Sequence, residues 1–185
     1  MALFAGEQAV VLRDGREVAI RSARPGDARA LARLLDAIAA EPEVTLLMLP
    51  GEITAREWRR RIAAAVERET SLFLLAWRGD RLVGDLGMVA DPHPASPHVR
   101  VLGMSVARDC RSLGLGGALL EAALAWARER GAMKIELSVF ADNALALAFY
   151  ERHGFVREGL RRRQLVRAGE YHDEVLMARF FDPGS

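Results

Sequence analysis

One segment constrains the fold more than any other: residues 99–120, VRVLGMSVARDCRSLGLGGALL. An apolar strand-like run leads into a glycine-containing loop, and the loop opens a run with helical apolar spacing. The first turn of a helix carries N–H groups without partners and the positive end of the helix dipole. Because Gly114 and Gly116 have no side chains, an anion can approach that backbone closely. The segment therefore predicts a pyrophosphate-binding turn between a strand and a helix, with Arg111 adding positive charge at its entrance.

Two common phosphate-binding motifs do not fit this segment. The dinucleotide motif G-x-G-x-x-G would require glycine at position 119, where the chain has Leu119. The nucleotide P-loop requires a Gly-Lys pair, and the sequence contains none. The spacing Arg111-x-x-Gly114-x-Gly116 thus points to another kind of phosphate ligand.

The rest of the chain predicts an α+β or mixed α/β fold, in which helices cover both faces of one mostly antiparallel sheet of about seven strands. We expect one domain over residues 1–185, with its core at about 18–180. The predicted strands are Val10–Leu12, Val18–Arg21, Leu72–Trp77, Leu82–Val89, Val99–Val106, Ile135–Val139, Phe155–Val166 and Tyr171–Phe180, the first two forming a hairpin. The predicted helices start at Asp27 and span Thr54–Glu69 (with Trp58, Ile62 and Val66 on its apolar face), Gly114–Arg130 and Asn143–Arg152.

Composition excludes several function classes. The 26 basic and 25 acidic residues give a net charge of +1, which argues against a protein that covers nucleic acid with positive charge. The single cysteine, Cys110, excludes an internal disulfide and a cysteine-cluster metal site, and no metal is expected. The start of the chain lacks the pattern of a signal peptide, and no apolar run is long enough for a membrane span, so we expect a cytoplasmic protein.

Two motifs, in this order, resemble the GNAT superfamily of N-acetyltransferases. Arg111, Gly114 and Gly116 match its coenzyme A loop, Q/R-x-x-G-x-G/A. The stretch from Asn143 to Phe155, NALALAFYERHGF, matches the next motif, N-x-x-A-x-x-L/F-Y-E-K/R-x-G-F. With the flanking elements the resemblance covers about residues 18–180, and it implies the GNAT fold with a central pair of strands that splay apart. It also implies that acetyl-CoA is the cosubstrate.

The resemblance implies roles for individual residues. The strand residues Met104, Ser105 and Val106 would pair with the pantetheine arm, and the Val106 N–H would stabilise the oxyanion. Gly103 is expected to mark a bulge that separates this strand from its neighbour. Asn143 would bind pantetheine or serve only as a helix cap, and Tyr150 would be the general acid or only a core aromatic. The complete set of cofactor-binding residues expected is Met104, Ser105, Val106, Arg111, Ser112, Leu113, Gly114, Leu115, Gly116, Gly117, Asn143 and Tyr150.

The general base and the acceptor stay open at this stage. Candidate bases are Asp85, His98, Glu136, a water held by Ser138, and bulk water. The C-terminal stretch 169–177 resembles branches that acetylate free amino acids, small amines or ribosomal-protein N-termini, and Glu41-Pro42-Glu43-Val44 with Trp58 resembles a bacterial amino-acid branch.

We therefore expect a small primary amine, an amino acid above all, to attack acetyl-CoA directly in a ternary complex. A protein N-terminus, a non-catalytic coenzyme A sensor and a nucleotide-binding protein are the alternatives. The triplet Arg161-Arg162-Arg163 is expected to be a solvated strand face, and a homodimer is compatible with exposed hairpin edges.

Overall fold

Strands and helices follow one another in the order that the sequence predicts. The computed structural model describes residues 6–41, 46–67 and 71–181. Its strands and helices are β1 (Glu7–Val11), β2 (Glu17–Ser22), α1 (Ala28–Ala39), α2 (Ala55–Glu67), β3 (Leu72–Arg78), β4 (Arg81–Ala90), β5 (Val99–Val106), α3 (Leu115–Glu129), β6 (Lys134–Phe140), α4 (Ala144–Arg152), β7 (Val156–Arg167) and β8 (Glu170–Phe180). The end of the predicted second helix, residues 68–69, lies outside the described residues, as do residues 42–45 of the stretch beginning at Glu41.

All the strands belong to one mixed, mostly antiparallel sheet, in the order β1-β2-β3-β4-β5-β6-β8-β7. The sheet has eight strands, one more than expected. The predicted N-terminal hairpin is part of this sheet, since β1 pairs with β2 from Glu7↔Arg21 to Val11↔Glu17. The expected fold class is confirmed, and β1 and β7 form the two edges of the sheet.

The predicted splay lies between β5 and β6, the one parallel pair in the described sheet. Their register covers only Val99↔Lys134 to Val101↔Glu136. Beyond it, β5 continues beside β4 up to Val106, while β6 continues beside β8 up to Phe140. The strands separate because each follows its own antiparallel partner.

The predicted bulge at Gly103 is wrong. Gly103 pairs with Gly87 in a register between β4 and β5 that shows no shift along its length. The divergence of β5 from β6 therefore needs no inserted residue. Gly103 is exposed, and a Cβ atom added there would meet nothing within 4 Å.

Helices cover both faces of the sheet. Side chains alternate between the two faces along a strand, so positions 84 and 87 of β4 lie on opposite faces. A Cβ at Gly84 would lie 3.3 Å from Leu119 of α3, whereas one at Gly87 would meet Phe73, whose ring packs edge-on against Trp58 of α2. Thus α3 packs on one face and α2 on the other.

Two details of the helices differ from the predictions. Val66 is 54% exposed, whereas Ala65 is buried with Trp58 and Ile62. Seven residues make almost two full turns, so Ala65 rather than Val66 continues the buried stripe. Asp27, the residue expected to cap α1, precedes that helix but makes no capping bond to it; its carboxylate accepts from the Arg24 N–H at 2.7 Å and from the Arg21 guanidinium at 2.7 and 2.9 Å.

Among the helices that the structure describes, none is long and apolar enough to cross a bilayer.

Candidate active site

A cavity of about 470 Å³ opens where β5 and β6 separate. Strand residues form its floor, α4 contributes one side, and the segment after α1 covers part of it. The lining residues are Leu46, Leu47, Met48, Val101, Leu102, Gly103, Met104, Glu136, Leu137, Ser138, Val139, Asn143, Ala146, Tyr150, Glu158, Arg161, Leu176 and Met177. Its size suits a small molecule.

The backbone of β5 points polar groups into the splay. The Ala107 N–H donates to the Val83 carbonyl at 2.9 Å, which fixes the odd-numbered residues of β5 as the ones bonded to β4. Met104 and Val106 therefore direct their N–H and C=O groups away from β4, toward the gap. Ser105 does not, because its backbone faces β4. Of the three strand positions expected to hold pantetheine, Met104 thus offers its N–H and C=O to the gap and Val106 offers its N–H, since the Val106 carbonyl accepts from Arg111.

Arg111 lies beside these groups but is already paired. Its Nε donates to the Val106 carbonyl at 2.9 Å. Two guanidinium nitrogens also lie 2.7 and 2.9 Å from the two carboxylate oxygens of Glu41. The guanidinium is therefore neutralised by Glu41, although the sequence suggested a free positive charge at the loop entrance.

The glycine loop ends in an open helix start. Gly114 adopts φ +97° as the residue before α3, a conformation that favours glycine, and a Cβ there would meet nothing within 4 Å. The first bond of the helix runs from the Ala118 N–H to the Gly114 carbonyl at 3.1 Å. The N–H groups of Leu115, Gly116 and Gly117 have no acceptor within the described residues, so this turn can bind an anion.

Gly116 makes this turn compact. A Cβ at Gly116 would lie 3.5 Å from Met104 and 3.6 Å from Phe149. The helix start therefore sits directly against β5 and α4, two of the elements that line the cavity. A cofactor whose phosphates bind at the loop can reach the splay without leaving the protein surface.

The N-terminal hairpin supports the loop from behind. The Arg13 N–H, in the turn between β1 and β2, donates to the Leu113 carbonyl at 3.0 Å. Ser112 adopts φ 60° beside this contact. The expected loop residues Ser112 and Leu113 are thus held by a distant part of the chain.

Asp109 is a structural residue of the loop that the sequence did not single out. Its carboxylate lies 2.8 Å from Arg81, 3.4 Å from Arg78 and 3.6 Å from Arg16. The hydrogen bond from Arg81 is the main reason that the pKa of Asp109 is below its ordinary value. Only the fold brings these arginines together, so no local pattern could have identified the cluster.

Asn143 and Tyr150 come from opposite ends of α4. The Asn143 Oδ1 accepts from the Ala146 N–H at 3.1 Å, so this side chain caps the helix while it also lines the cavity. Tyr150 is buried, with its ring edge-on to Phe149 and Phe155. Burial, assisted by the charge of Asp85, raises the pKa of the Tyr150 phenol, which keeps it protonated.

The structure separates the candidate bases. Glu136 and Ser138 line the cavity. Asp85 is buried opposite Ser105 and does not line it; burial raises the pKa of this carboxyl to about 7, against a hydrogen bond from Ser105. His98 is exposed and precedes β5, roughly 25 Å along the strand from Val106. Of the candidate bases, Glu136 and Ser138 are therefore the two side chains that a ligand in the cavity could contact.

Charged residues that the sequence did not assign to the site stand beside Glu136. The only lysine of the chain, Lys134, lies 3.3 Å from Glu136 and 2.8 Å from Glu158. Arg161, expected to be part of a solvated strand face, also lines the cavity. The wall of the cavity therefore contains charged groups of both signs.

Comparison with known proteins identifies the family. The family model "Acetyltransferase (GNAT) family" matches residues 31–155. The chain is 32% identical over 169 residues to the L-amino acid N-acetyltransferase AaaT of Escherichia coli (strain K12), across 88% of this chain and 98% of that protein. The crystal structure of a GNAT-family acetyltransferase from Streptococcus pneumoniae has a TM-score of 0.82 at 27% identity, over 89% of this chain and 99% of that one.

A second kind of relative matches a shorter part. The mycothiol acetyltransferase of Geodermatophilus obscurus is 37% identical over 67% of this chain, which spans only 39% of that protein. Two further proteins of the same fold were crystallised with acetyl-CoA.

The chain belongs to the GNAT family of acetyltransferases. It is an N-acetyltransferase, and acetyl-CoA is its cosubstrate.

Proposed function

We propose that the enzyme transfers the acetyl group of acetyl-CoA to the amine of a free amino acid. The observation that carries the proposal is the small cavity beside the splay, with charged groups of both signs in its wall. An amino acid carries both signs as well. The L-amino acid acetyltransferase of Escherichia coli, similar along nearly its whole length, supports the same acceptor class.

The N–H groups of Leu115, Gly116 and Gly117 hold the pyrophosphate in this proposal, and Ser112, Leu113 and Gly114 shape the loop. The amides of the pantetheine arm bond to the backbone of Met104, as a peptide adds to a sheet edge, and the Val106 N–H is the donor to the acetyl carbonyl. Asn143 adds a polar contact from the cap of α4. Ser105 contributes through its side chain, which supports Asp85.

The reaction is a direct attack of the amine nitrogen on the thioester carbonyl carbon. The N–C bond forms, the carbonyl oxygen becomes an oxyanion, and the Val106 N–H donates to it, a contact typically worth about 3–4 kcal/mol. The C–S bond then breaks, and Tyr150 donates its phenolic proton toward the departing sulfur. The amine loses its proton to water near Ser138 or to Glu136.

A protein N-terminus is the second candidate acceptor. One contact favours the free amino acid: Arg167 of β7 donates to the carbonyls of Leu46 and Met48 at 2.5 and 2.8 Å. These bonds hold the segment after α1 over the cavity. A polypeptide acceptor would have to displace this segment, whereas a free amino acid would not.

The experiment is thiol release from acetyl-CoA with a panel of amino acids, simple amines and peptides. Release with free amino acids supports the proposal; release with peptides alone overturns it in favour of the second candidate. Gly116→Trp blocks the anion site and should abolish release and acetyl-CoA binding. Gly26→Trp is the matched control, because Gly26 is exposed and nothing lies within 4 Å of its Cβ position.

Two wider expectations are part of the proposal. Residues 1–185 act as one acetyltransferase domain, and two copies associate through the β7 edge, which exposes Val156, Leu160 and Val166. Light scattering on the full chain and on Leu160→Lys tests the second point. If the dimer forms through this edge, the wild type should have the mass of two chains and Leu160→Lys the mass of one.

A further inference from the structure

Arg161 has hydrogen-bonding capacity that the protein does not use. Its side chain is 54% exposed, and NH1 lies 3.2 Å from Glu174 Oε2. A guanidinium has five N–H donors in a planar fork. Within the described residues no second acceptor is paired with it, so several donors remain for a ligand in the cavity that Arg161 lines.

Glu174 balances the charge of Arg161 but occupies only one of its N–H donors. The Glu174 side chain is only 8% exposed, and its position on β8 is directly opposite Arg161 on β7. A buried carboxylate on a neighbouring strand holds the guanidinium in one place. This arrangement limits the entropy that a binding arginine loses when it meets its ligand.

Acidic residues of β6 and β7 line the same cavity. Glu136 and Glu158 share the single cation Lys134, which leaves one negative charge in this trio. The cavity thus offers unused guanidinium donors at Arg161 and one uncompensated negative charge shared between Glu136 of β6 and Glu158 of β7. A zwitterion fits this arrangement, with its carboxylate at Arg161 and its ammonium toward Glu136.

The remaining wall is apolar. Leu46, Leu47 and Met48 cover the cavity from the segment after α1, and Val101 and Leu176 belong to its strands. Apolar surface favours an apolar side chain on the ligand. A charged side chain would lose its hydration there without gaining a partner.

We propose that Arg161 binds the α-carboxylate of the acceptor and that the apolar wall receives its side chain, so that the preferred acceptors are α-amino acids with apolar side chains. The assignment rests on the proposed function, because it names how the same site selects its amino acid. Arg161 is a specificity-determining residue that forms a bidentate pair with the carboxylate.

The test compares each of several apolar amino acids with its α-amide, which keeps the amine and side chain but has no carboxylate. The wild-type enzyme should use the acid at least about 10-fold better in kcat/KM, since paired charged hydrogen bonds contribute that much. Arg161→Gln should raise KM for the acid by at least about 10-fold, leave kcat within about threefold, and leave the amide unchanged.

Matched variants make the result specific. Arg162→Gln removes the same charge from the adjacent residue, which is exposed and does not line the cavity, and should leave both KM values unchanged. Arg161→Lys keeps the charge and should recover part of the preference for the acid. The KM for acetyl-CoA and the melting temperature verify that each variant is folded and binds its cosubstrate.

The outcomes separate the two proposals. If the wild type acetylates amino acids and their amides equally, or if Arg161→Gln raises both KM values alike, the Arg161 assignment is overturned and the proposed function stands. If the wild type acetylates no free amino acid, both are overturned.

Discussion

The carboxylate of Glu41 lies 2.7 and 2.9 Å from two guanidinium nitrogens of Arg111, a residue 70 positions further along the chain. Both side chains are largely covered, at 14% and 30% exposure. The pair connects the end of α1 to the loop before α3, and the third donor of Arg111 bonds to Val106. The ion pair therefore links the segment after α1, which covers part of the cavity, to the loop before α3.

The first prediction concerns the coupling of this pair. Glu41→Ala and Arg111→Ala should each destabilise the protein, but the double variant should lose less than the sum, because either change alone leaves a covered charge unpaired. We expect a coupling free energy of about 1–3 kcal/mol in urea unfolding. Additive losses would show that the contact contributes nothing to stability. Glu52→Ala, another carboxylate near the same segment, is the control.

The second prediction concerns Tyr150. Tyr150→Phe should lower kcat at least about 10-fold, because the departing sulfur loses its proton donor, while acetyl-CoA binding persists. Tyr171→Phe makes the same change at the only other tyrosine, which is 69% exposed, and should have no effect. An unchanged kcat in Tyr150→Phe would remove this residue from the mechanism and leave it as a core aromatic.

The third prediction concerns Asp85 and pH. Burial raises the pKa of its carboxyl to about 7 from an ordinary value of 3.8. The unfolded chain releases the proton first as pH rises, so this group costs stability progressively from about pH 4 to pH 7 and constantly above that, by about 4 kcal/mol in total. Asp85→Asn should therefore gain stability over the wild type, by about 2–3 kcal/mol more at pH 8.5 than at pH 5.

Thermal and urea unfolding at both pH values measure this difference. Asp80→Asn, a change at an exposed aspartate in the turn between β3 and β4, is the matched control. Its stability relative to the wild type should be the same at pH 5 and pH 8.5. A stability gain in Asp85→Asn that is the same at both pH values would mean that the carboxyl is not protonated in the folded protein.

The fourth prediction concerns the floor of the cavity. Gly103 lines it, and open space surrounds the position of an added Cβ. Gly103→Val should fold normally, since β-branched residues suit strands, but its side chain should exclude the larger acceptors. Activity should fall more for large amino acids than for small ones, with acetyl-CoA affinity unchanged. A uniform loss for all acceptors would instead point to a disturbed pantetheine contact.

Structural features that depend on a local sequence pattern could be predicted from the sequence. The strand-loop-helix unit at β5 and α3 and the order of the elements follow from apolar spacing, Gly114 and the cap at Asn143. The family motifs add the splay and the cosubstrate. These features depend on residues close together in the chain, so one sequence is enough to predict them.

Pairings across the sheet are what the sequence could not supply. Only the register shows that Met104 and Val106 face the gap while Ser105 faces β4. Arg161 looked like a solvated residue because its partner Glu174 and the cavity belong to other strands. Arg111 looked free because Glu41 is distant in sequence. The bulge at Gly103 was predicted from a local glycine, whereas the strands separate because β5 and β6 each follow a different antiparallel partner.

The short contact between β5 and β6 divides the sheet into two halves that are joined by only three residue pairs. A strand edge at the outside of a protein attracts any passing polypeptide, but this edge faces inward, sheltered by α4 and by the segment after α1. The backbone groups of Met104 and the Val106 N–H therefore face a cleft within the sheet, where the amides of a cofactor arm can meet them. The unpaired strand edge can therefore bind a ligand without being open to edge-to-edge aggregation.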